Sequence, residues 1–130
     1  MRALAIALML LSCTGLKADP RSHYMIHCMG CHLADGRGTP PDVPVFDASM
    51  IELLDSDKGR AYLIQVPGSA QSPINDEDLA AVLNWILTNY AGLSSHQDVT
   101  PITTDEVTRY RRDILLNPVE ARAELSAKAN

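Results

Sequence analysis

The chain has 130 residues, enough for one compact domain and too few for two ordinary ones. Its formal charge is −5 at pH 7, and an acidic chain is poorly suited to bind nucleic acid or an anionic membrane surface. A basic partner protein remains compatible with this charge.

The first eighteen residues have the composition of an export signal. Arg2 supplies a positive start, and residues 3–11 form an unbroken apolar run that is too short to span a bilayer. Cleavage after Ala18 is favoured, because a small residue stands at the cut. The alternative is a bacterial lipobox ending at Cys13, which would leave that cysteine lipidated and held at a membrane. We therefore expect an exported periplasmic protein that begins at Asp19 and is soluble.

Short helices separated by glycine and proline turns are predicted in the next part of the chain. Pro20 suits the first turn of a helix, and Tyr24, Cys28 and Cys31 follow at helical spacing. Clusters of glycine and proline then predict a loop, and the apolar residues 48–54 predict a short helix. Residues 59–66 fit a helix or a strand by pattern alone, and we interpret them as a helix because the neighbouring elements are helical. The expected elements are helix 21–31, loop 33–47, helix 48–54 and helix 59–66.

The clearest predicted helix covers residues 76–90. Asn75 is a good N-cap, and three acidic residues occupy the first turn, where they suit the helix dipole. Apolar residues follow at helical spacing, and Gly92 is expected to end the helix.

A helical extension is predicted after a polar linker. Thr103 or Thr104 caps a helix that runs to about Leu115, and the alanine-rich tail beyond it is expected to be a frayed helix. No β-hairpin pattern or repeat is visible. The sequence therefore predicts an all-α fold, with a signal at 1–18, one domain at 19–92, and a linker and helical extension at 93–130.

The run Cys28-Met29-Gly30-Cys31-His32 carries the most specific chemistry in the sequence. Haem has vinyl groups on neighbouring pyrrole rings, and two thiols separated by two residues in a helical turn can each add across one of them. His32 then lies under the iron and offers a ring nitrogen as proximal ligand. Gly30 leaves space beside the ring, and Met29 is expected to pack outward. The motif predicts one covalently attached haem c with its iron.

A zinc half-site and a thioredoxin-like redox pair are the alternatives for this motif. Zinc needs two further ligands at suitable spacing, and His23, His27 and His96 do not supply such a pair. A thioredoxin-like site follows a strand in a βαβ pattern, which the sequence lacks. His23 and His27 are four residues apart on the first helix, and we expect them to be solvated rather than to bind metal. A protein without haem is the least favoured interpretation.

The chain resembles the class I cytochrome c family over residues 21–91. The haem motif lies near the start of the exported chain, on a short helix, and the segment 32–38 is similar to the family's loop after that motif. Residues 83–87 (Leu-Asn-Trp-Ile-Leu) are similar to the family's C-terminal helix, where an aromatic residue packs across the N-terminal helix.

This resemblance implies an all-helical, cytochrome c-like domain wrapped around one haem. It makes Cys28 and Cys31 the thioether positions and His32 the proximal iron ligand. The implied function is electron transfer and not catalysis, either as a periplasmic carrier or as the electron-accepting subunit of a dehydrogenase or oxidase.

The distal iron ligand departs from the family pattern. Family members commonly place a methionine in the loop before the C-terminal helix, but residues 66–74 contain none. Met50 is the distal candidate, because the chain between it and the proximal histidine is long enough to reach the other face of the haem. A core methionine is the alternative for Met50, and His96 is a third choice of ligand. An open iron, in a pocket lined by Tyr62 and Gln65, would instead bind a small ligand or perform peroxide chemistry.

Charge gives the expectation for partners. The leading eighteen residues hold two of the 11 basic residues and none of the 16 acidic ones, so their removal leaves a charge of −7. Such a chain would be steered toward a basic docking surface on a redox partner, with strong salt dependence.

Overall fold

The computed structural model describes residues 18–96 and 98–128. These residues form eight α-helices and one short 3-10 helix, Leu93–Ser95. The α-helices are α1 (Pro20–His27), α2 (Met29–His32), α3 (Ser49–Leu53), α4 (Asp57–Gln65), α5 (Pro67–Ala70), α6 (Asp76–Asn89), α7 (Thr104–Tyr110) and α8 (Pro118–Lys128). The predicted signal and the alternative lipidation site at Cys13 lie outside the described residues, apart from Ala18.

The all-α prediction is confirmed. Within the described ranges, the strand-like pairing is an isolated bridge between Thr39 and Val43 in the loop after α2. No helix in that part of the chain has the length and apolar character needed to cross a membrane.

The centre of the fold is the packing of α1 against α6. Tyr24 is the buried residue of α1, and α6 contributes a fully buried apolar face that includes Leu79, Val82 and Leu87. The Tyr24 ring lies 5.1 Å from Trp85 and 5.5 Å from Tyr90, measured between centroids. Aromatic pairs of this kind add about 0.5–1.5 kcal/mol each beyond the area they bury. The expected aromatic packing across the first helix is therefore present.

Helix α6 begins and ends as its sequence predicts. The Asn75 side chain accepts a hydrogen bond from the backbone N–H of Asp78 at 2.8 Å, and all three residues of the first turn are acidic. At the other end Gly92 adopts a left-handed conformation with φ of 78°, which a glycine takes without steric cost. The helix that contributes the largest share of the core is therefore delimited by local chemistry.

Two predicted boundaries are wrong, those of helix 21–31 and of the helix after Thr103, and each difference has a local cause. The predicted helix 21–31 is two helices, because α1 ends at His27, with Cys28 as its C-cap, and α2 begins at Met29. Helix α4 ends at Gln65, close to its predicted end at residue 66, and Pro67 then opens the short helix α5, because proline suits a first turn. Helix α7 ends at Tyr110 rather than near Leu115, because the backbone N–H of Leu115 donates to the Gln65 carbonyl at 3.0 Å and leaves the helical path.

The extension packs against the core as part of the same hydrophobic cluster. Ile102 and Val107 are buried, at 3% and 0% exposure. The side chain of Asn84 on α6 accepts from the backbone N–H of Ile102 and donates to its carbonyl, both at 2.8 Å. Thr103 caps α7 in a reciprocal capping box with Glu106. The predicted cap at Thr103 is confirmed, and the tail is the regular helix α8.

Candidate haem site

Cys28, Cys31 and His32 lie within one turn of helix. The backbone N–H groups of Cys31 and His32 both donate to the Cys28 carbonyl, at 3.1 and 3.0 Å. Neither cysteine forms a disulfide; Cys28 is half-buried and Cys31 is exposed. The turn therefore presents two free thiols, at positions 28 and 31, and an imidazole at position 32.

Tyr24 holds this turn at both ends. Its carbonyl accepts from the backbone N–H of Cys28 at 2.9 Å, and its hydroxyl donates to the carbonyl of Leu33 at 2.5 Å. Leu33 has a positive φ of 59°, so the chain leaves the helix directly after His32. The buried tyrosine thus fixes where the motif begins and where it ends.

The His32 ring is enclosed by the loop that follows it. The ring is parallel to Phe46, with 3.8 Å between centroids and 16° between planes. Its Nδ1 atom is buried and has no hydrogen-bond partner. Burial lowers the pKa of His32, and the nearby carbonyl of Pro44 opposes part of that shift. The lowered pKa favours the neutral imidazole, which is the form that binds a metal ion.

Backbone hydrogen bonds bring Phe46 to the histidine. Thr39 and Val43 exchange backbone hydrogen bonds at 2.8 and 3.0 Å, which folds the loop back on itself. The N–H of Phe46 then donates to the Gly36 carbonyl at 2.8 Å. Gly38 has φ of 61°, and a Cβ there would lie 2.5 Å from the Val43 carbonyl oxygen, so this turn requires glycine. Sequence reasoning missed Phe46, although the chain has a single phenylalanine and it follows the motif closely.

The two thiols differ in their surroundings. Burial, with a smaller contribution from the neighbouring Cys31, raises the pKa of the Cys28 thiol to about 11. Cys28 therefore remains a protonated thiol at neutral pH, whereas Cys31 faces solvent. Both are free for a covalent attachment.

The candidate distal ligands are placed as follows. Met50 lies on α3 and is 4% exposed, inside the hydrophobic core cluster. His96 is exposed, with its Nδ1 3.1 Å from the Gly92 carbonyl oxygen. Of the open-pocket residues, Tyr62 is buried in the core. The expectation that Met29 packs outward is wrong, because this side chain is partly buried against the core.

His23 and His27 are not simply solvated, contrary to expectation. Both are partly buried, and their rings stack with 5.9 Å between centroids. The Nε2 atom of His23 lies 3.5 Å from an Asp78 carboxylate oxygen, across the contact between α1 and α6. In the part of the chain that the structure describes, no three His, Cys, Asp or Glu side chains are grouped to hold a metal ion.

Comparison with known proteins identifies the family. No protein-family model matches the chain. A cytochrome c-552 from one strain of Thermus thermophilus is 29% identical over 142 aligned positions, which span 95% of each chain. A second cytochrome c-552 of Thermus thermophilus is 31% identical over 115 positions, covering 75% of this chain and 87% of that relative. The chain belongs to the c-type cytochromes.

The cytochrome has residues that fit a covalently bound haem c. Attachment in this family uses cysteine thiols, and the iron takes an imidazole as axial ligand. Cys28 and Cys31 are both free, and the half-buried ring of His32 has a lowered pKa and a buried Nδ1 atom without a hydrogen-bond partner. The donor set is therefore chemically suited to the group that the family implies.

Proposed function

We propose that this cytochrome carries one haem, attached through Cys28 and Cys31 and ligated by His32, and that it transfers electrons in the bacterial periplasm. The observation that carries the proposal is the single turn in which two free thiols precede a half-buried imidazole. The iron of a bound haem supplies one-electron redox chemistry. No substrate pocket is required.

Side chains of the protein cover one side of this site, and the other side lies at the surface. Phe46 and the core cluster cover the His32 side. Cys31 and Gly30 are exposed, and the neighbouring apolar side chains of Ile26 and Leu33 are exposed by 73% and 42%. An apolar surface beside the attachment cysteines lets a redox partner approach closely, and we assign electron exchange to this face.

The test is the mass and the optical spectrum of protein made in a host competent for cytochrome c maturation. The wild type should carry the mass of one haem. Cys28→Ser combined with Cys31→Ser should lose it, and His96→Ala, which changes an exposed histidine, should keep it. A wild-type mass equal to that of the bare polypeptide would exclude the proposal.

Met50 remains the proposed distal ligand. Met50→Ala would also remove core packing, at a cost of about 2–5 kcal/mol, so Met50→Leu is the sharper variant because it keeps the volume. If the thioether binds iron, Met50→Leu lowers the reduction potential and admits carbon monoxide, while stability changes little. If both the potential and carbon monoxide binding stay at wild-type values, Met50 is a core residue only.

An open distal site is the second candidate, with small-ligand binding or peroxide chemistry as its function. Two observations favour it: residues 66–74 contain no methionine, and Met50 is packed among core side chains. Rapid carbon monoxide binding by the wild-type reduced protein would support this alternative. A low-spin spectrum that ignores carbon monoxide would support the carrier.

Location and partner complete the proposal. We assign export with cleavage after Ala18, a cytochrome domain at 19–92 and a redox partner with a basic docking surface. The exported charge of −7 supports that partner, because opposite charges steer association. Intact mass of secreted protein distinguishes a chain beginning at Asp19 from one lipidated at Cys13. Electron-transfer rates to a basic acceptor should fall as salt is raised.

A further inference from the structure

We propose that Phe46 is a positioning residue for His32, and that its ring fixes the plane of the imidazole relative to the haem. This inference rests on the proposed function, since it assumes His32 as iron ligand. Phe46 thereby sets the orientation of the His32 imidazole and, through the imidazole, the electronic environment of the iron.

The first observation is the geometry of the stack. At 3.8 Å and 16°, the His32–Phe46 pair is closer than any of the other ring pairs seen in the described residues, which lie at 5.1 to 6.5 Å. A ring lying flat on an imidazole resists rotation of that imidazole, because turning it would open a gap or cause a clash.

The second observation is that Phe46 also packs against two tyrosines. Tyr24 and Tyr90 lie 6.5 and 6.1 Å from it, measured between centroids. Tyr90 is held in turn, because its hydroxyl donates to the Ala34 carbonyl at 3.0 Å. The stack on His32 is thus continuous with the packing between α1 and α6.

The third observation concerns the backbone that carries Phe46. Gly36 accepts from the Phe46 N–H, and a Cβ at Gly36 would lie 3.1 Å from the Tyr90 ring and 3.3 Å from the Phe46 Cβ. The loop therefore approaches the aromatic cluster as closely as a residue without a side chain permits. Phe46 has little freedom to move away from the histidine.

Groups around a metal ligand orient it and tune the metal. An imidazole bound to iron through one nitrogen is free to turn about that bond unless the protein holds it. The orientation of its plane shapes the unpaired spin distribution of oxidised, low-spin haem. Phe46 should therefore influence the haem methyl NMR shifts and the reduction potential, whereas a merely structural core residue would affect stability alone.

The experiment compares variants of the haem-loaded protein by NMR of the oxidised state and by potentiometry. Phe46→Leu should change the spread of the haem methyl shifts and shift the potential. Phe46→Tyr keeps the aromatic ring and should retain the wild-type haem methyl shifts and the wild-type potential. Trp85→Phe is the control, since Trp85 contacts Tyr24 and Tyr90 but forms no ring pair with His32; it should lower the unfolding midpoint with the shift pattern retained.

Tyr90→Leu provides a second test, which also serves if Phe46→Leu yields too little folded protein. It removes the Tyr90 ring that packs against Phe46 and does not change His32 itself. The haem methyl shifts should therefore move in the same direction as in Phe46→Leu, by a smaller amount. Wild-type shifts and potential in Phe46→Leu, or in Tyr90→Leu where that alone is obtained, would overturn the inference while the haem-bearing function stands. A wild-type protein without haem would overturn both.

Discussion

Arg60 on α4 and Glu106 on α7 form a two-pronged ion pair across 46 positions of the chain. The Nε and Nη2 atoms of Arg60 donate to the two carboxylate oxygens at 2.5 and 2.9 Å. Arg60 is 9% exposed and also donates to the carbonyls of Thr100 and Pro101, at 2.8 and 2.9 Å. One guanidinium thereby attaches the start of the extension to the core.

Removal of Arg60 should destabilise the folded cytochrome. Arg60→Met keeps most of the volume but removes the guanidinium from a partly buried carboxylate and from two carbonyls, at an expected cost of about 3 kcal/mol. Denaturant unfolding of the haem-loaded protein measures this loss. Arg109→Ala, an exposed arginine on the same extension, is the control and should change stability by less than about 0.5 kcal/mol. Equal midpoints for Arg60→Met and the wild type would contradict the prediction.

The same pair should give the protein a specific sensitivity to acid. Hydrogen bonds from Arg60, and further ones from Thr103, lower the pKa of Glu106 from 4.5 to about 2. Since the folded state lowers this pKa, the stabilisation is complete above pH 4.5 and is lost as the pH falls toward 2. A shift of this size makes the contribution at stake about 3 kcal/mol. Unfolding free energies of Glu106→Gln should fall less steeply than those of the wild type over this interval, and parallel curves would refute the assignment.

Sequence reasoning succeeded where the chemistry is local. Asn75 caps α6 through a residue three positions away, and the attachment motif spans a single turn, so neighbouring letters suffice to predict both. Periodicity also indicated α3 and α6, because each buries an apolar face. The pattern of α4 fits a helix or a strand, and only its helical neighbours favoured the helix that the structure shows.

It could not supply the partners that depend on tertiary packing. Nothing in the sequence near Arg60 indicates a carboxylate 46 residues away, and the loop around Phe46 is folded by backbone hydrogen bonds that side-chain patterns do not encode. The sequence alone could not decide the distal ligand for the same reason. The pattern around Met50 fits an iron ligand and a core methionine equally well, and only a contact with a distant part of the fold distinguishes the two roles.

Arg111 should hold the segment before α6 in place. Its Nη1 atom donates to the carbonyl of Ile74 at 3.0 Å and to Asp76 at 2.6 Å, and its Nη2 atom donates to the Ser72 carbonyl at 2.9 Å. The hydroxyl of Thr108 and Arg111 together lower the pKa of Asp76, which shows that its charged form is favoured here. This single side chain connects α7 to a stretch with little regular structure of its own.

Arg111→Ala should therefore loosen residues 70–76 more than it weakens the whole fold. Three backbone and carboxylate acceptors lose a donor, and we expect a local loss of about 2 kcal/mol. Amide hydrogen exchange by mass spectrometry should show faster exchange in peptides that cover this segment. Arg112→Ala changes the adjacent, exposed arginine and should leave exchange as in the wild type. Uniformly faster exchange across the protein would argue that Arg111 acts on global stability instead.

The connection between α3 and α4 depends on a close approach at Gly59. Its backbone N–H donates to the Ser56 hydroxyl at 3.1 Å, which caps α4, and a Cβ at this position would lie 2.1 Å from the Leu53 carbonyl oxygen. The obstruction is backbone and cannot turn aside as a flexible side chain would. Gly68, in the next helix, has nothing within 4 Å of the corresponding position.

Two matched substitutions test whether this approach constrains the fold. Gly59→Ala must push α3 and α4 apart and should cost more than about 2 kcal/mol, because the strain falls on packed backbone. Gly68→Ala meets no obstacle and reduces the freedom of the unfolded chain, so it should be neutral or stabilising by up to about 1 kcal/mol. Thermal unfolding of the haem-loaded variants measures both. If the two alanines had the same effect, the turn would be able to relax, and the contact of α3 with α4 would not depend on the absence of a side chain at Gly59.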